Sequence, residues 1–408
     1  MRQEKNNSPR RRRRTSTRKR DGLRSRIKKN LKRKWSSFKR KSIRKIKKNK
    51  FKTAFSIIGL LAILIMVILH SMRSTPFEYG NFTHDARFKG YVISTGIDVS
   101  YAQGDNIDWH KVKKSGVDFV YIRAGFRDAS KGNLHKDAKF EKNIKGASDA
   151  GLLVGVYIYS QATTTEEAAA EADYLANLAD KYRIDLPIVM DYELYNGGRL
   201  ARAINSGSLG TSGINKNALA FARRGWNRGY ETMLYGNYDF LMHYASGYEL
   251  SKSTNIWLAQ YHTQATYKGK YMMWQSTDKA TVPGISKNVD LNFMYMNPKD
   301  TYRSLRSSAI GKRSIEKCNV QLKSHSSRYL GFAVKPGIVV YDRGKELIED
   351  KDYRVAYIKN TSPGTGYAIV TGIGKYKDSV MTSFKIKKLY QKAIMMTQDL
   401  ICRSSIIV

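Results

Sequence analysis

From residue 91 to residue 295 the chain alternates between short apolar runs of β type and amphipathic runs of helical type, and this alternation limits the fold more than any other feature. The β-type runs fall at 91–98, 118–126, 152–160, 186–193, 231–237, 255–261, 271–276 and 289–295. Between the first six lie helical patterns at 107–115, 137–150, 165–182, 217–228 and 238–245, the third opened by a Thr165 cap with Glu166 and Glu167 in its first turn. Alternating β and α elements predict a parallel sheet. Eight strands in about 205 residues predict an α/β fold: an irregular TIM-like barrel of five β/α units plus three strands. The Gly/Ser-rich stretch 196–213 reads as a long loop after the fourth strand.

The fourth run, L-P-I-V-M-D-Y-E at 186–193, ends in two carboxylates, Asp191 and Glu193. Residues i and i+2 of a strand share a face, with Cα atoms roughly 6.6 Å apart. Two carboxyl groups at such a separation can flank one glycosidic bond. A strand end with two solvated acids is the plainer reading of the same pair. Other acids, amides and aromatics gather at the ends of the other runs: Asp98 in G-I-D-V-S, Gln260 in A-Q-Y, Trp274 in W-Q, and Asp290 in V-D-L-N-F. Most stand where a barrel places its catalytic loops. Asp290 precedes its apolar run, so that rule does not place it.

Charge divides the rest of the chain. The net charge of +39 is concentrated at the ends: residues 1–52 hold 26 Lys/Arg against Glu4 and Asp21, while 92–297 hold 23 basic and 21 acidic residues. The barrel segment is nearly neutral and is not expected to bind nucleic acid. Residues 53–72 are almost wholly apolar and long enough, at about 30 Å of helix, to cross a bilayer once. The positive-inside rule then puts the basic tail 1–52 in the cytoplasm and the rest outside, a single-pass protein of the cell membrane. Within the tail, Ile27, Leu31, Trp35 and Phe38 recur at helical spacing. That pattern predicts either a helix lying on an anionic membrane surface or a charged segment that only fixes topology. Residues 73–91 read as an extracellular tether, 298–318 as a linker, 319–388 as a small all-β sandwich, and 389–408 as a tail of no assigned role. Cys318 and Cys402 form no framework of spacing, and their pairing stays open.

Metal, phosphate and serine-nucleophile chemistry find no motif. His110, His135, His243 and His262 are scattered, and there is no HExxH, GxxxxGK[ST] or GxGxxG; no cofactor is expected.

Taken in order, D98, D-Y-E at 191–193, A-Q-Y at 259–261, W-Q at 274–275 and V-D-L-N-F at 289–293 resemble glycoside hydrolase family 25, the lysozymes that act as N-acetylmuramidases. The resemblance spans residues 92–297. It implies a barrel of five β/α units and three strands, and four acidic site residues at Asp98, Asp191, Glu193 and Asp290. It also implies a groove lined by Tyr157, Tyr159 and Asn237. Ser276 stands where many relatives have an aromatic residue. The late domain resembles the Ig-like sandwich repeats of bacterial surface proteins.

On chemistry, Glu193 is expected to be the general acid, its pKa raised by a neighbouring carboxylate and an apolar setting. Asp191 is expected to stabilise charge at the sugar, directly or by orienting an N-acetyl group. Asp98 and Asp290 would hold hydroxyls or tune the pair. Tyr157, Tyr235, Trp257 and Trp274 are candidate stacking faces or barrel core, and Gln260 is a candidate substrate-binding residue. The expected activity is cleavage of the β-1,4 bond between N-acetylmuramic acid and N-acetylglucosamine in peptidoglycan, for local wall remodelling, with proteins of an envelope complex as further partners. Two alternatives stand beside it: a non-catalytic glycan-binding barrel or scaffold, and a chitinase-like N-acetylglucosaminidase.

Overall fold

The computed structural model describes residues 79–298 and 313–388, together with helical positions between 33 and 41. The expected membrane helix at 53–72, most of the basic tail, residues 299–312 of the expected linker and the tail 389–408 lie outside the described residues. Among the described residues no helix is long and apolar enough to cross a membrane.

Nine strands come first: β1 (Val92–Val99), β2 (Phe119–Arg127), β3 (Leu134–Lys136), β4 (Leu153–Ser160), β5 (Ile188–Tyr192), β6 (Thr232–Asn237), β7 (Asn255–Ala259), β8 (Met273–Ala280) and β9 (Val289–Met296). They form one sheet in the order β1-β9-β8-β7-β6-β5-β4-β2-β3, and β1 also pairs with β2. Eight strands therefore close a barrel, with β3 a short antiparallel flap on β2. The strands from β1 to β8 within the barrel run parallel, and β9 runs antiparallel between β8 and β1.

Helices α1 (Trp109–Lys114), α2 (Phe140–Asp149), α3 (Thr165–Ala179), α4 (Arg199–Asn205), α5 (Thr211–Asn227) and α6 (Gly247–Leu250) fill the first five crossovers, and none stands between the last three strands. Strands such as Leu153–Ser160 are buried on both faces, which is why they read as continuous apolar runs.

Three local expectations change. The expected loop 196–213 contains α4 and the start of α5, because Leu200, Ala201 and Ile214 bury a helical stripe that the Gly and Ser residues obscure. The expected helix at 238–245 is one π-helical turn, Phe240–Tyr244. The cap of α3 is Thr164, whose hydroxyl accepts from Glu167 N at 3.2 Å.

The barrel interior is filled by large side chains facing glycines. A Cβ on Gly155 would lie 2.3 Å from the Tyr121 ring, and one on Gly96 would lie 2.2 Å from the Phe119 ring. Gly155→Ala is therefore expected to overpack the interior and lower stability by about 1–3 kcal/mol in denaturant unfolding. An unchanged midpoint would show that Tyr121 can move aside.

The expected tether is not a tether in its described part. Residues 79–91 are a strap along the outer wall of the helix-free strands. Phe82 meets Trp274 and Phe293 at ring-centroid distances of 5.8 and 5.2 Å, and Phe88 stacks on Tyr295 at 3.6 Å. His84 Nδ1 lies 3.0 Å from the Tyr295 hydroxyl, and Arg87 donates to the carbonyls of Tyr267 and Gly269. Strands without a helix over them would expose an apolar face, and the strap covers it.

The late all-β region begins at Arg313, inside the expected linker, since Ile315 is fully buried in its core. It comprises β10 (Arg313–Ser314), β11 (Asn319–Leu322), β12 (Ser326–Arg328), β13 (Ile338–Asp342), β14 (Lys345–Glu346), β15 (Tyr353–Ile358), β16 (Gly364–Gly372), β17 (Tyr376–Lys377) and β18 (Ser379–Lys387). A three-stranded sheet β11-β13-β14 and a four-stranded sheet β12-β18-β16-β15 share one apolar core, with a β10-β17 pair beside them.

The four-stranded sheet has a second apolar face. Ala368 and Val370 point into its own core, while Ile369 and Ile358 join the side chains that fill the barrel, including Val92, Phe119 and Met296. The sheet is the floor of the barrel. Polar contacts frame this seam: Lys359 N donates to Asp118 Oδ1 at 2.6 Å, Lys113 Nζ to the Tyr357 carbonyl at 3.3 Å, and Arg183 to the Val355 carbonyl at 3.2 Å.

Candidate active site

At the end of the barrel opposite that floor, where the parallel strands finish, lies a cleft of about 590 Å³. Asp98 from β1, Asp191 from β5, Glu193 just past β5, and Asp290 from β9 all line it. Asp191 follows Val189 on the inward face of β5, while Tyr192 between the two acids turns outward and bonds the Ala162 carbonyl at 2.6 Å. Asp290 reaches the same mouth because β9 is antiparallel. Its first residues, not its last, lie at the end where the other strands finish, and Asp290 pairs directly with Asp98.

Amides and phenols hold the acids in place. Asp98 Oδ2 accepts from Gln275 Nε2 at 2.9 Å and from Asn292 Nδ2 at 2.8 Å. Asn292 Oδ1 in turn accepts from the Trp257 indole at 2.9 Å, and Gln275 Oε1 accepts from the hydroxyls of Tyr235 and Tyr261 at 2.9 and 3.0 Å. Gln161, fully buried, donates to the Glu193 carbonyl at 3.3 Å and the Tyr159 hydroxyl at 3.2 Å. Arg123 binds Asp137 at 2.8 Å and stands 4.9 Å from the Tyr101 ring centre. Among the described residues Asp191 Oδ1 is a buried oxygen with no hydrogen-bond partner.

Burial raises all four carboxyl pKa values. Asp98 is pushed up to about 6, against the two amide hydrogen bonds that favour its anion. Glu193 rises to about 7, by burial first and then by the charge of Asp98. Asp290 rises to about 8, again by burial first and Asp98 second. Asp191 rises well above the ordinary range, by burial and then by Glu193 and Asp98, with Arg123 opposing. After burial, the charge of Asp98 is what raises Glu193 and Asp290, so the acids titrate as one coupled set.

These shifts carry a sign for stability. Each folded-state pKa lies above the unfolded value of about 4. The folded chain therefore holds more protons, and the associated stability is complete below pH 4 and is lost as pH rises through 6, 7 and 8. Asp290→Asn removes one of these losses. The variant is expected to melt higher than the parent at pH 8–9, with a smaller gain at pH 5. A gain that is equal at both values would show that Asp290 is not titrating.

Of the other candidates, Tyr157, Tyr159, Tyr235 and Trp257 also line the cleft. Trp257 is its bed rather than an open stacking face: it is 2% exposed and meets the edges of Tyr157 and Tyr235. Three candidates do not line it. Trp274 is fully buried on the outer side of β8, packed on Phe82 and Phe293. Gln260 turns away and closes a pair of hydrogen bonds with Thr266. Asn237 is exposed and caps the following turn through Phe240 N at 2.8 Å. The cleft adds Arg123, Tyr195, Tyr261 and Gln275. Tyr195 and Tyr261, 58% and 49% exposed, supply its accessible ring faces. Gln275 and Tyr261 carried a sequence signal, sitting within W-Q and A-Q-Y; Arg123, in the middle of β2, and Tyr195, three residues past β5, carried none.

Residues 97–285 match the family model described as Glycosyl hydrolases family 25. The autolytic lysozyme of Clostridium acetobutylicum is 28% identical over 198 residues, 48% of this chain and 54% of that protein. Lysozyme M1 of Streptomyces globisporus is 33% identical over 119 residues, 28% of this chain and 38% of that protein. The chain thus spans about half or less of the length of these curated relatives. Among solved structures, the bacterial lysozyme from Streptomyces coelicolor gives a TM-score of 0.42 at 25% identity, covering 49% of this chain and 91% of that one. The modular autolysin LytC from Streptococcus pneumoniae, solved with a synthetic peptidoglycan ligand, gives 0.43 at 25% identity, covering 50% and 47%. Residues 97–285 are thus similar to glycosyl hydrolases of family 25, and part of the chain is similar to two lysozymes.

Proposed function

We propose that the chain is a membrane-anchored peptidoglycan hydrolase that cleaves the β-1,4 bond between N-acetylmuramic acid and N-acetylglucosamine. The observation that carries this reading is the convergence of Asp98, Asp191, Glu193 and Asp290 on one cleft, with Glu193 held at a pKa of about 7. A group with that value is part protonated at neutral pH, as a general acid must be. Glu193 hands its proton to the leaving glycosidic oxygen. Asp191, with a buried and unpartnered oxygen, faces the sugar and either stabilises its developing charge or accepts from its acetamido N–H. When ionised, Asp98 adds to burial in raising Glu193 and Asp290. Tyr195 and Tyr261 offer ring faces to the glycan.

The anchoring part rests on the apolar run 53–72 and the basic tail before it. The fold would then stand outside the membrane, acting on wall close to where the chain is held. Alkaline carbonate extraction of cells tests this: the chain is expected in the membrane pellet, and recovery in the soluble fraction would sink the anchor.

For the chemistry, the full chain is incubated with purified peptidoglycan and the new reducing ends are identified. The strap and the floor argue for the whole chain rather than residues 92–297 alone. New muramic acid ends are expected. N-acetylglucosamine ends would make the enzyme a glucosaminidase, and binding without new ends would make the barrel non-catalytic.

A further inference from the structure

Between β12 and β13 the all-β region carries an exposed apolar loop, with Leu330 53% and Phe332 78% exposed. Lys323, Arg328, Lys335, Lys385, Lys387 and Lys388 are exposed around it. No Asp or Glu occurs in 319–341 or 379–388, so these two segments bring cations and apolar groups but no acids to the surface. Tyr329 N bonds the Lys387 carbonyl at 2.9 Å, which ties the loop to the lysine-rich end of β18. Isolated exposed apolar residues are ordinary; apolar tips ringed by cations are the composition of surfaces that enter an anionic lipid interface.

The loop's position in the fold points to the same occupant. Val334 and Asn360 exchange two hydrogen bonds, 2.8 and 3.0 Å. The neighbouring Lys359 bonds Asp118 and the Ile93 carbonyl on the barrel floor. Tyr79, where the described fold begins, bonds Ser115 Oγ at 2.6 Å, three positions before Asp118. The loop and the chain's point of entry thus share the floor side, with the cleft at the other end. The apolar run 53–72 ends seven residues before Tyr79, a reach of at most about 25 Å.

We propose that Leu330, Phe332 and the surrounding Lys and Arg side chains dock on an anionic lipid surface, seating the floor on the membrane and turning the cleft outward. The proposal builds on the anchored reading above. The tail 389–408 also begins beside this patch, but it holds a single acid, Asp399, against Lys392 and Arg403, and cannot neutralise six cations.

The test is amide hydrogen exchange of the full chain in vesicles of 30% phosphatidylglycerol in phosphatidylcholine, against pure phosphatidylcholine. Exchange at 329–335 is expected to slow about tenfold in the anionic vesicles only, and the Leu330→Ser, Phe332→Ser double variant should lose that protection. Strand β16 serves as the folding control. Equal rates in both vesicles, with the chain bound to both, overturn this proposal alone. A chain that binds neither overturns the anchor as well. Protection produced in neutral vesicles by added poly(glycerol phosphate) assigns the patch to a soluble polyanion and overturns the lipid reading. Protection independent of lipid but lost on deleting 389–408 assigns it to the tail and does the same. Hydrolysis is not the readout, so failure of the muramidase assignment would leave this result standing.

Discussion

Glu193→Gln is expected to lower the release of reducing ends from peptidoglycan by about 10²- to 10⁴-fold, the contribution of a positioned general acid. The amide is nearly isosteric and keeps the shape of the cleft, but has no acidic proton to give. Parent activity should fall as pH rises through about 7, where Glu193 ionises. Its fall on the acid side belongs to the coupled set rather than to one residue, because Asp98, Asp191 and Asp290 all influence one another. The same substitution should raise the melting temperature at pH 8, since it removes a carboxylate that burial disfavours. Loss of activity with higher stability is the signature of a site residue. Activity within threefold of the parent would remove Glu193 from the acid's role and leave the buried Asp191 as the candidate.

Ile358→Asp is expected to destabilise the chain by about 4 kcal/mol, the range for an unpaired charge placed in a buried position. Ile358 is fully buried where β15 meets the barrel interior, among Phe119, Leu153 and Met296. The carboxylate would have to be desolvated or protonated, or the floor would have to part from the barrel. For a fold of this size the loss corresponds to a fall of roughly 6 °C in the melting temperature. Ile348→Asp is the control, because Ile348 is 56% exposed and the change there should be nearly neutral. Two separate melting transitions in Ile358→Asp, with the barrel's unshifted, would show that the floor contributes nothing to the barrel. A single lowered transition would show that the two fold as one unit.

The order of β and α runs, the absence of helices between the last three strands, and the placing of Asp98, Asp191 and Glu193 were all legible in the linear chain. They follow from local periodicity and from one rule, that parallel barrel strands end at the functional face. Which face of a strand looks inward was not legible where both faces are apolar. Trp257 and Trp274 look alike in sequence. In the closed sheet Trp257 pairs with Met273, so Trp257 enters the barrel, and Trp274, one residue past Met273, packs outside it. Asp290 waited on strand direction, since only an antiparallel β9 brings the start of that run to the mouth. The strap at 79–91 and the sheet beneath the barrel waited on contacts between residues far apart in sequence. That β16 is buried on both faces, by Ala368 and Val370 on one side and Ile369 on the other, also waited on those contacts. Periodicity acts over a few residues and so is written in the chain; register closure and the pairing of distant apolar faces exist only once the sheet has closed.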